Sequence, residues 1–123
     1  MERIIESSAA YRIEQEISKG GIKAGLKKYR EIMEDKGSGL YLDEKEFNAL
    51  GYRLMNRGML KESLGIFKLN VELHPDSANV YDSLGEAYMK IGKSKLALKN
   101  YEKSLELNPK NENARLMIQK LKL

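Results

Sequence analysis

The chain of 123 residues has no cysteine and no tryptophan, a single histidine and only two prolines. Without cysteine it can form neither disulfides nor thiolate metal sites. One histidine, His74, does not make a zinc site by itself, and its place before Pro75 predicts a solvated loop side chain. We therefore expect no metal and no cofactor.

Long apolar runs are missing as well. No stretch approaches the roughly 20 residues that a membrane-spanning helix needs, so no membrane partner is expected. The first 21 residues carry acids throughout and lack an apolar secretory core, so no signal peptide is predicted. This favours a cytoplasmic location, unless the chain is a fragment of an exported protein.

Charge of one sign is not concentrated anywhere in the sequence. Lysine and arginine number 22 against 18 acids, which gives a net charge of +4. The excess lies in residues 78–123, where the bases alternate with acids. A nucleic-acid-binding protein usually gathers its bases on one face, so nucleic acid is an unlikely partner and a solvated helical surface is favoured.

Catalytic patterns are equally scarce. Glu44 and Glu46 lie two apart and would point to different faces of a helix, so they do not form a catalytic pair. The segment Gly37-Ser38-Gly39 lacks the lysine of a phosphate-binding loop and is interpreted as a linker. The sequence does not indicate an enzyme.

What the sequence does contain is a repeat with a period of 34 residues. An aromatic residue, a leucine, two glycines and a proline recur at that spacing: Phe47, Leu50, Gly51, Gly58 and Pro75, then Tyr81, Leu84, Gly85, Gly92 and Pro109. A period of this length is typical of stacked helical hairpins. It divides the chain into two units, residues 44–77 and 78–111.

Each unit predicts helix, turn, helix and exit turn. Gly92 supplies the left-handed position that ends the first helix of its unit, and Pro109 ends the second. Gly51 and Gly85 lie inside helices, where glycine costs about 1 kcal/mol relative to alanine. They predict a close approach of the two helices, with Ser63 and Ala97 at the facing small position.

The two ends of the chain are less regular. Residues 1–43 predict a degenerate hairpin that breaks at Gly20-Gly21, with about four extra loop residues at Lys36–Gly39 and an N-cap at Asp43. Residues 112–123 predict a single amphipathic helix that caps the last unit. Two regular units are too few to bury a core alone, so both ends must complete it.

These positions together resemble the tetratricopeptide repeat. Eight positions of the second unit match that pattern nearly throughout: Tyr81, Leu84, Gly85, Tyr88, Gly92, Ala97, Tyr101 and Pro109. The first unit matches well, with Ser63 and Asn70 as departures at small positions. Residues 67–109 are also similar to repeat regions that follow serine β-lactamase-like hydrolase domains in bacteria, although the hydrolase motif Ser-x-x-Lys does not occur in this sequence.

The resemblance implies an all-α, right-handed solenoid of antiparallel hairpins, with about seven helices. It implies a non-enzymatic scaffold that binds a protein or peptide in the concave groove lined by the first helices. The groove positions would be Lys45, Asn48, Tyr52, Met55, Asn79, Asp82, Ser83, Glu86, Met89 and Lys90. Family members that clamp acidic chaperone tails use bases on this face, whereas Asp82 and Glu86 would repel a carboxylate here, so that subtype is rejected.

A second hypothesis concerns the C-terminal helix, which carries more apolar residues than one face can bury. Leu116, Met117 and Leu123 could mediate self-association as a homodimer, or docking on a serine hydrolase domain. Binding of nucleic acid is kept as a minor third alternative.

Overall fold

The computed structural model describes residues 8–35 and 43–123, which hold six helices. In chain order they are α1 (Ala9–Glu34), α2 (Glu44–Asn56), α3 (Leu60–Leu73), α4 (Ala78–Lys90), α5 (Ser94–Leu107) and α6 (Glu112–Leu121). Consecutive helices from α2 onward pack against each other, and α1 packs on α2 and α3. The all-α class is confirmed, and the helix count is close to the expected seven.

The first helix is broken at Gly20 and Gly21, where Gly21 has a φ of 75°. Beyond the break the chain folds back on itself. This is shown by Gly25, where a Cβ would lie 3.0 Å from Ile17 Cδ1 and 3.4 Å from Ile13 Cγ2. In a continuous helix, residues 13 and 25 would be about 18 Å apart along the axis. Residues 9–19 and 22–34 therefore form a helical hairpin. The predicted loop insertion at Lys36–Gly39 lies outside the described residues.

The turns inside the two units are the same. Gly58 and Gly92 have φ values of 78° and 80°, in the left-handed region that glycine adopts without strain. In the first unit Gly58 N donates to Met55 O at 2.9 Å and Met59 N donates to Leu54 O at 2.9 Å. The second unit repeats both bonds 34 residues later. This is the Schellman arrangement, which satisfies carbonyls that the end of the helix leaves free.

The internal glycines are explained by close packing, as predicted. A Cβ on Gly51 would lie 2.6 Å from Cζ of the Phe67 ring, and one on Gly85 would lie 3.0 Å from Cζ of Tyr101. The group that approaches each glycine is therefore an aromatic ring of the second helix. Ser63, at the facing small position, also donates to Gly51 O at 2.8 Å.

The two departures from the family pattern in the first unit, Ser63 and Asn70, are both buried and hydrogen-bonded. Asn70 Nδ2 donates to Glu44 O at 3.0 Å, and in the second unit Ser104 Oγ donates to Ala78 O at 2.7 Å. In both units, then, a buried polar side chain of the second helix binds the carbonyl of the first residue of the first helix. This contact fixes the open end of each hairpin.

The apolar core is divided into two clusters. The first joins α1 to the first unit through buried residues such as Ile13, Phe47 and Leu50. The second is built around Phe67 and Tyr101, and α6 contributes Ala114, which is fully buried. The irregular ends thus contribute to the core on both sides, as expected from the sequence.

An ion-pair cluster joins the N-terminal hairpin to the first unit. Glu14 accepts from Arg53 at two atoms, Nη2 at 2.7 Å and Nε at 3.2 Å. Arg57 Nη1 lies 3.6 Å from the same carboxylate. The hydrogen bond with Glu14 raises the pKa of Arg53, which therefore stays charged.

Asp43 accepts from Lys45 N at 2.8 Å, which confirms the predicted N-cap of α2.

Candidate partner-binding groove

Three helices begin at intervals of one period: α2 at residue 44, α4 at 78 and α6 at 112. Each of them is the first helix of a unit, or stands where a third unit would start. The groove residues predicted from the sequence lie on α2 and α4. The C-terminal helix adds a third wall, whereas the sequence predicts for it only capping, self-association or docking on a hydrolase domain.

At the junction between α2 and α4, four side chains form one hydrogen-bonded chain. Ser83 Oγ donates to Asn48 Oδ1 at 2.6 Å. The Tyr52 hydroxyl lies 3.3 Å from Ser83 Oγ and 3.0 Å from Glu86 Oε1, and it donates to that carboxylate. The network holds the two helices in register and fixes the positions of these four side chains.

The ring of Tyr52 fills the space beneath this network. It stacks edge-to-face on Phe67, with centroids 5.1 Å apart and ring planes at 70°. Burial is the largest cause that raises the pKa of Tyr52 to about 12; the hydrogen bond with Ser83 opposes the shift, and the charges of Glu86 and Asp82 add to it. The hydroxyl is therefore a proton donor throughout the neutral range.

At the junction between α4 and α6, the polar contacts lie at one end only. Asp82 accepts from Asn111 Nδ2 and from Asn113 Nδ2, both at 2.8 Å, one on each carboxylate oxygen. Asn111 also caps α6, because its Oδ1 accepts from Ala114 N at 3.1 Å. These bonds tie the start of α6 to α4.

Further along this junction, α4 and α6 separate and leave an open cleft of about 440 Å³. One period after Tyr52 the chain has Glu86 rather than an aromatic residue, so no ring fills the corresponding space. The lining of the cleft combines apolar, amide and charged side chains: Glu86, Met89, Lys90, Tyr101, Asn113 and Met117. Burial, followed by the charges of Asp82 and Glu86, raises the pKa of Tyr101.

The structure distributes the predicted groove residues over three degrees of exposure. The exposed ones are Lys45, Asn79 and Lys90, and the half-buried ones are Asn48, Tyr52, Asp82, Glu86 and Met89. Met55 and Ser83 are buried, with 7% and 2% of their surface exposed. The expectation that these two are open on the groove is wrong. Met55 packs into the second cluster, and Ser83 is covered by Asn48 and Tyr52.

The residues proposed for self-association also differ in exposure. Leu116 is 53% exposed and Leu123 is fully exposed. Met117 is half-buried, packs against the second cluster and lines the cleft. It is thus a groove residue as well.

Three further residues at the groove, Tyr101, Asn111 and Asn113, are not among those predicted from the sequence. Asn113 lies one period after Asn79, so the 34-residue spacing could have placed it on the groove face. Asn111 lies one period after Ser77 and Tyr101 one period after Phe67, but this spacing does not show that they face the groove. Their role depends on how α6 packs against the second unit.

Other parts of the described chain carry little that indicates chemistry. Among the residues with described positions, no group of three or more histidines or acids could hold a metal ion. No helix in the described ranges is long and apolar enough to cross a membrane. His74 is half-buried and its Nε2 is buried without a hydrogen-bond partner in the described structure, so the expectation of a simply solvated loop side chain is wrong.

The bases of the last third are partly neutralised. Lys103 pairs with Glu106 at 3.7 Å, and Arg115 pairs with Glu112 at 3.5 Å. Lys122 lies 3.8 Å from the Glu102 carboxylate. This arrangement is typical of a solvated helical surface.

In comparison with known proteins, the chain is similar to proteins that contain tetratricopeptide repeats. Residues 78–111 match the family model of the tetratricopeptide repeat. Over 69 residues the chain is 33% identical to the tetratricopeptide repeat domain-containing protein PYG7, chloroplastic, of Arabidopsis thaliana. That match covers 56% of this chain and 23% of the plant protein, so the chain corresponds to less than a quarter of that relative's length.

The fold and the matched repeat place the chain among all-α helical-repeat proteins, similar to those with tetratricopeptide repeats. Proteins with such repeats generally mediate protein–protein interaction. The narrower resemblance to repeat regions beside bacterial serine β-lactamase-like hydrolases stays a prediction.

Proposed function

We propose that this chain is a non-enzymatic interaction scaffold that binds a peptide or a partner helix in the groove formed by α2, α4 and α6. The observation that carries this proposal is the open cleft of about 440 Å³ between α4 and α6. Its volume lies within the range of pockets that hold ligands in proteins. It would take one or two side chains of a longer segment that follows the groove.

The chemistry of the groove supports a peptide ligand. Asn48, Asn113 and Glu86 offer amide and carboxylate groups for main-chain or side-chain hydrogen bonds. Met89 and Met117 offer unbranched, polarizable surface that adapts to different apolar groups. Because the hydrogen-bonded network around Tyr52 already holds the side chains of Asn48 and Glu86 in place, these groups would lose less conformational entropy on binding.

Selection of peptides from a random display library on the immobilised chain tests this proposal. Asn113→Trp places a bulky ring at the mouth of the cleft and should weaken the selected peptides at least tenfold, as measured by biolayer interferometry. Lys99→Trp is the matched control, because Lys99 is exposed on α5 and does not line the cleft. Peptides that bind Asn113→Trp as tightly as the unaltered chain would contradict the groove assignment.

A second candidate function is self-association, or docking on a hydrolase domain, through the outer face of α6. The exposure of Leu116, at 53% of its surface, favours it. Deleting α6 would not test it, because Ala114 belongs to the core. Analytical ultracentrifugation of the unaltered chain and of Leu116→Ser is the better measurement. A dimer that Leu116→Ser dissociates supports self-association, and a monomer at all concentrations argues against it.

A further inference from the structure

We propose that the cleft between α4 and α6 is specific for one long cationic side chain, an arginine or a lysine of the bound segment, whose charged end pairs with Glu86. The inference rests on the proposed function, because it names the chemistry that the groove would select. It concerns specificity and is tested separately from binding as such.

The walls of the cleft fit the stem of such a side chain. Met89 and Met117 line the cleft together with Tyr101, which is almost fully buried. An arginine or lysine carries three or four methylene groups before its charge, and these groups commonly lie along apolar surface while the charged end reaches a polar partner. A short acidic side chain has no comparable stem to place there.

Glu86 is the acid at this junction with acceptor capacity to spare. Its Oε1 accepts from the Tyr52 hydroxyl, and it forms no ion pair within the described part of the chain. Asp82 has less acceptor capacity left, since each of its oxygens already accepts from an amide, of Asn111 or of Asn113. A carboxylate has about four lone-pair sites, so Glu86 can still accept from a guanidinium or ammonium group.

The electrostatic environment at the cleft floor points the same way. After burial, which is the larger cause, the nearby charges of Asp82 and Glu86 raise the pKa of both Tyr52 and Tyr101, so two carboxylates lie close to this end of the cleft. A carboxylate ligand would be repelled there, and a cation would be attracted. Lys90 lines the cleft from an exposed position and would compete with an incoming cation.

This competition makes the sign of the ligand measurable. For a cationic ligand, Glu86→Gln should weaken binding and Lys90→Gln should strengthen it. For an anionic ligand the two effects would be reversed, and for an apolar ligand both would be small. Glutamine can still accept from Tyr52, so Glu86→Gln should preserve the floor of the cleft.

The probe is a capped seven-residue peptide of serine and glycine with one central arginine. Its partner peptide carries citrulline, the neutral isostere of arginine, at the same place. Titration followed by amide chemical shifts should show the arginine peptide perturbing Met89, Asn113 and Met117. We expect the citrulline peptide to bind about tenfold more weakly, Glu86→Gln to weaken the arginine peptide about tenfold, and Lys90→Gln to strengthen it two- to threefold.

Two matched controls remove the same charges elsewhere. Glu106→Gln and Lys99→Gln alter exposed residues of α5 and should change the affinity less than twofold. Thermal unfolding of every variant shows whether each remains folded. Equal affinity for both peptides, no effect of Glu86→Gln in a folded variant, or weaker binding to Lys90→Gln would each overturn the proposal.

A cleft without cationic specificity can be distinguished from a groove that binds no peptide at all. If library peptides bind the groove but the arginine and citrulline peptides bind with equal affinity, the proposed specificity for a cationic side chain is wrong and the scaffold function stands. If neither the library nor the arginine peptide binds, both are wrong.

Discussion

The two repeat units share one backbone design and differ in what fills the junction that follows each. In both, a glycine of the first helix faces an aromatic ring of the second, at Gly51 with Phe67 and at Gly85 with Tyr101. Yet the junction after the first unit is filled by Tyr52, and the junction after the second is an open cleft. The 34-residue period thus determines the hairpin, while side chains that vary within it determine where a cleft opens between helices.

The tightness of packing within the units also differs. A Cβ at Gly51 would lie within 2.6 Å of Phe67 Cζ, whereas at Gly85 the nearest ring atom would be 3.0 Å away. Phe67 is in addition in edge-to-face contact with the ring of Tyr52. The first unit therefore has less room to adjust than the second.

The largest effect that we expect comes from Gly51→Ala. The added methyl group should force the buried Phe67 ring to move, which costs about 3 kcal/mol in a well-packed core, offset by about 1 kcal/mol of helix propensity. The free energy of unfolding should fall by about 2 kcal/mol. Gly85→Ala should lower it by less than about 1 kcal/mol, because Tyr101 needs to shift only slightly. Urea denaturation followed by circular dichroism measures both.

A double mutant identifies the cause. If the ring is responsible, Phe67→Leu combined with Gly51→Ala should be less destabilised than the sum of the two single variants by about 1 kcal/mol. Additive effects, or equal losses for Gly51→Ala and Gly85→Ala, would show that the two units do not differ in tightness.

Much of the hairpin architecture could be predicted from the sequence because its causes are local. A left-handed glycine ends a helix wherever it occurs, so Gly58 and Gly92 marked the turns correctly. Asp43 was recognised as an N-cap from its own position before a helix. Such features depend on neighbours within one helical turn.

The groove was only partly predictable because its causes are not local. The Tyr52–Glu86 hydrogen bond joins residues 34 apart, and the Glu14–Arg53 pair joins residues 39 apart. Nothing in either segment alone indicates its partner. The burial of Met55 and Ser83 likewise results from the approach of a second hairpin, which a helical pattern cannot reveal.

A smaller effect is expected from Tyr52→Phe, which keeps the ring on Phe67 and removes the hydroxyl from Glu86 and Ser83. The free energy of unfolding at pH 7 should fall by about 1.5 kcal/mol, the lower end of the range for a hydrogen bond to a charged group. Without its donor, Glu86 should also be less firmly held at the floor of the cleft.

The same variant should alter the pH dependence of stability. Because the pKa of Tyr52 is raised to about 12 from an ordinary value near 10, the folded chain keeps a proton that the unfolded chain releases between those values. The contribution is fully present below pH 10 and is lost as the pH rises toward 12. Tyr52→Phe should lose less stability over this window, although Tyr101 keeps part of the slope in both proteins. Equal slopes from pH 9 to 12 would mean that Tyr52 is not protected by the fold.

The smallest effect concerns the small-residue position of the second helix, which is Ser63 in the first unit and Ala97 in the second. Ser63 Oγ donates to Gly51 O at 2.8 Å, and Ala97 has no hydroxyl to repeat this bond. Ser63→Ala loses about 1 kcal/mol of hydrogen bonding and gains about 0.5 kcal/mol of helix propensity, so the expected net loss is about 0.5 kcal/mol. Gly51 O stays satisfied, because it also accepts the intrahelical bond from residue 55.

The reciprocal change, Ala97→Ser, sharpens the comparison from the other side. If the two hairpins share a backbone, the new hydroxyl should reach Gly85 O as Ser63 reaches Gly51 O. The hydrogen bond should then offset the helix propensity that is lost, so the free energy of unfolding should change by less than about 0.5 kcal/mol. Calorimetric unfolding of both variants resolves these values. A loss above about 2 kcal/mol in Ala97→Ser would mean that the buried hydroxyl finds no acceptor, and that the second unit is not the geometric copy of the first that its sequence period implies.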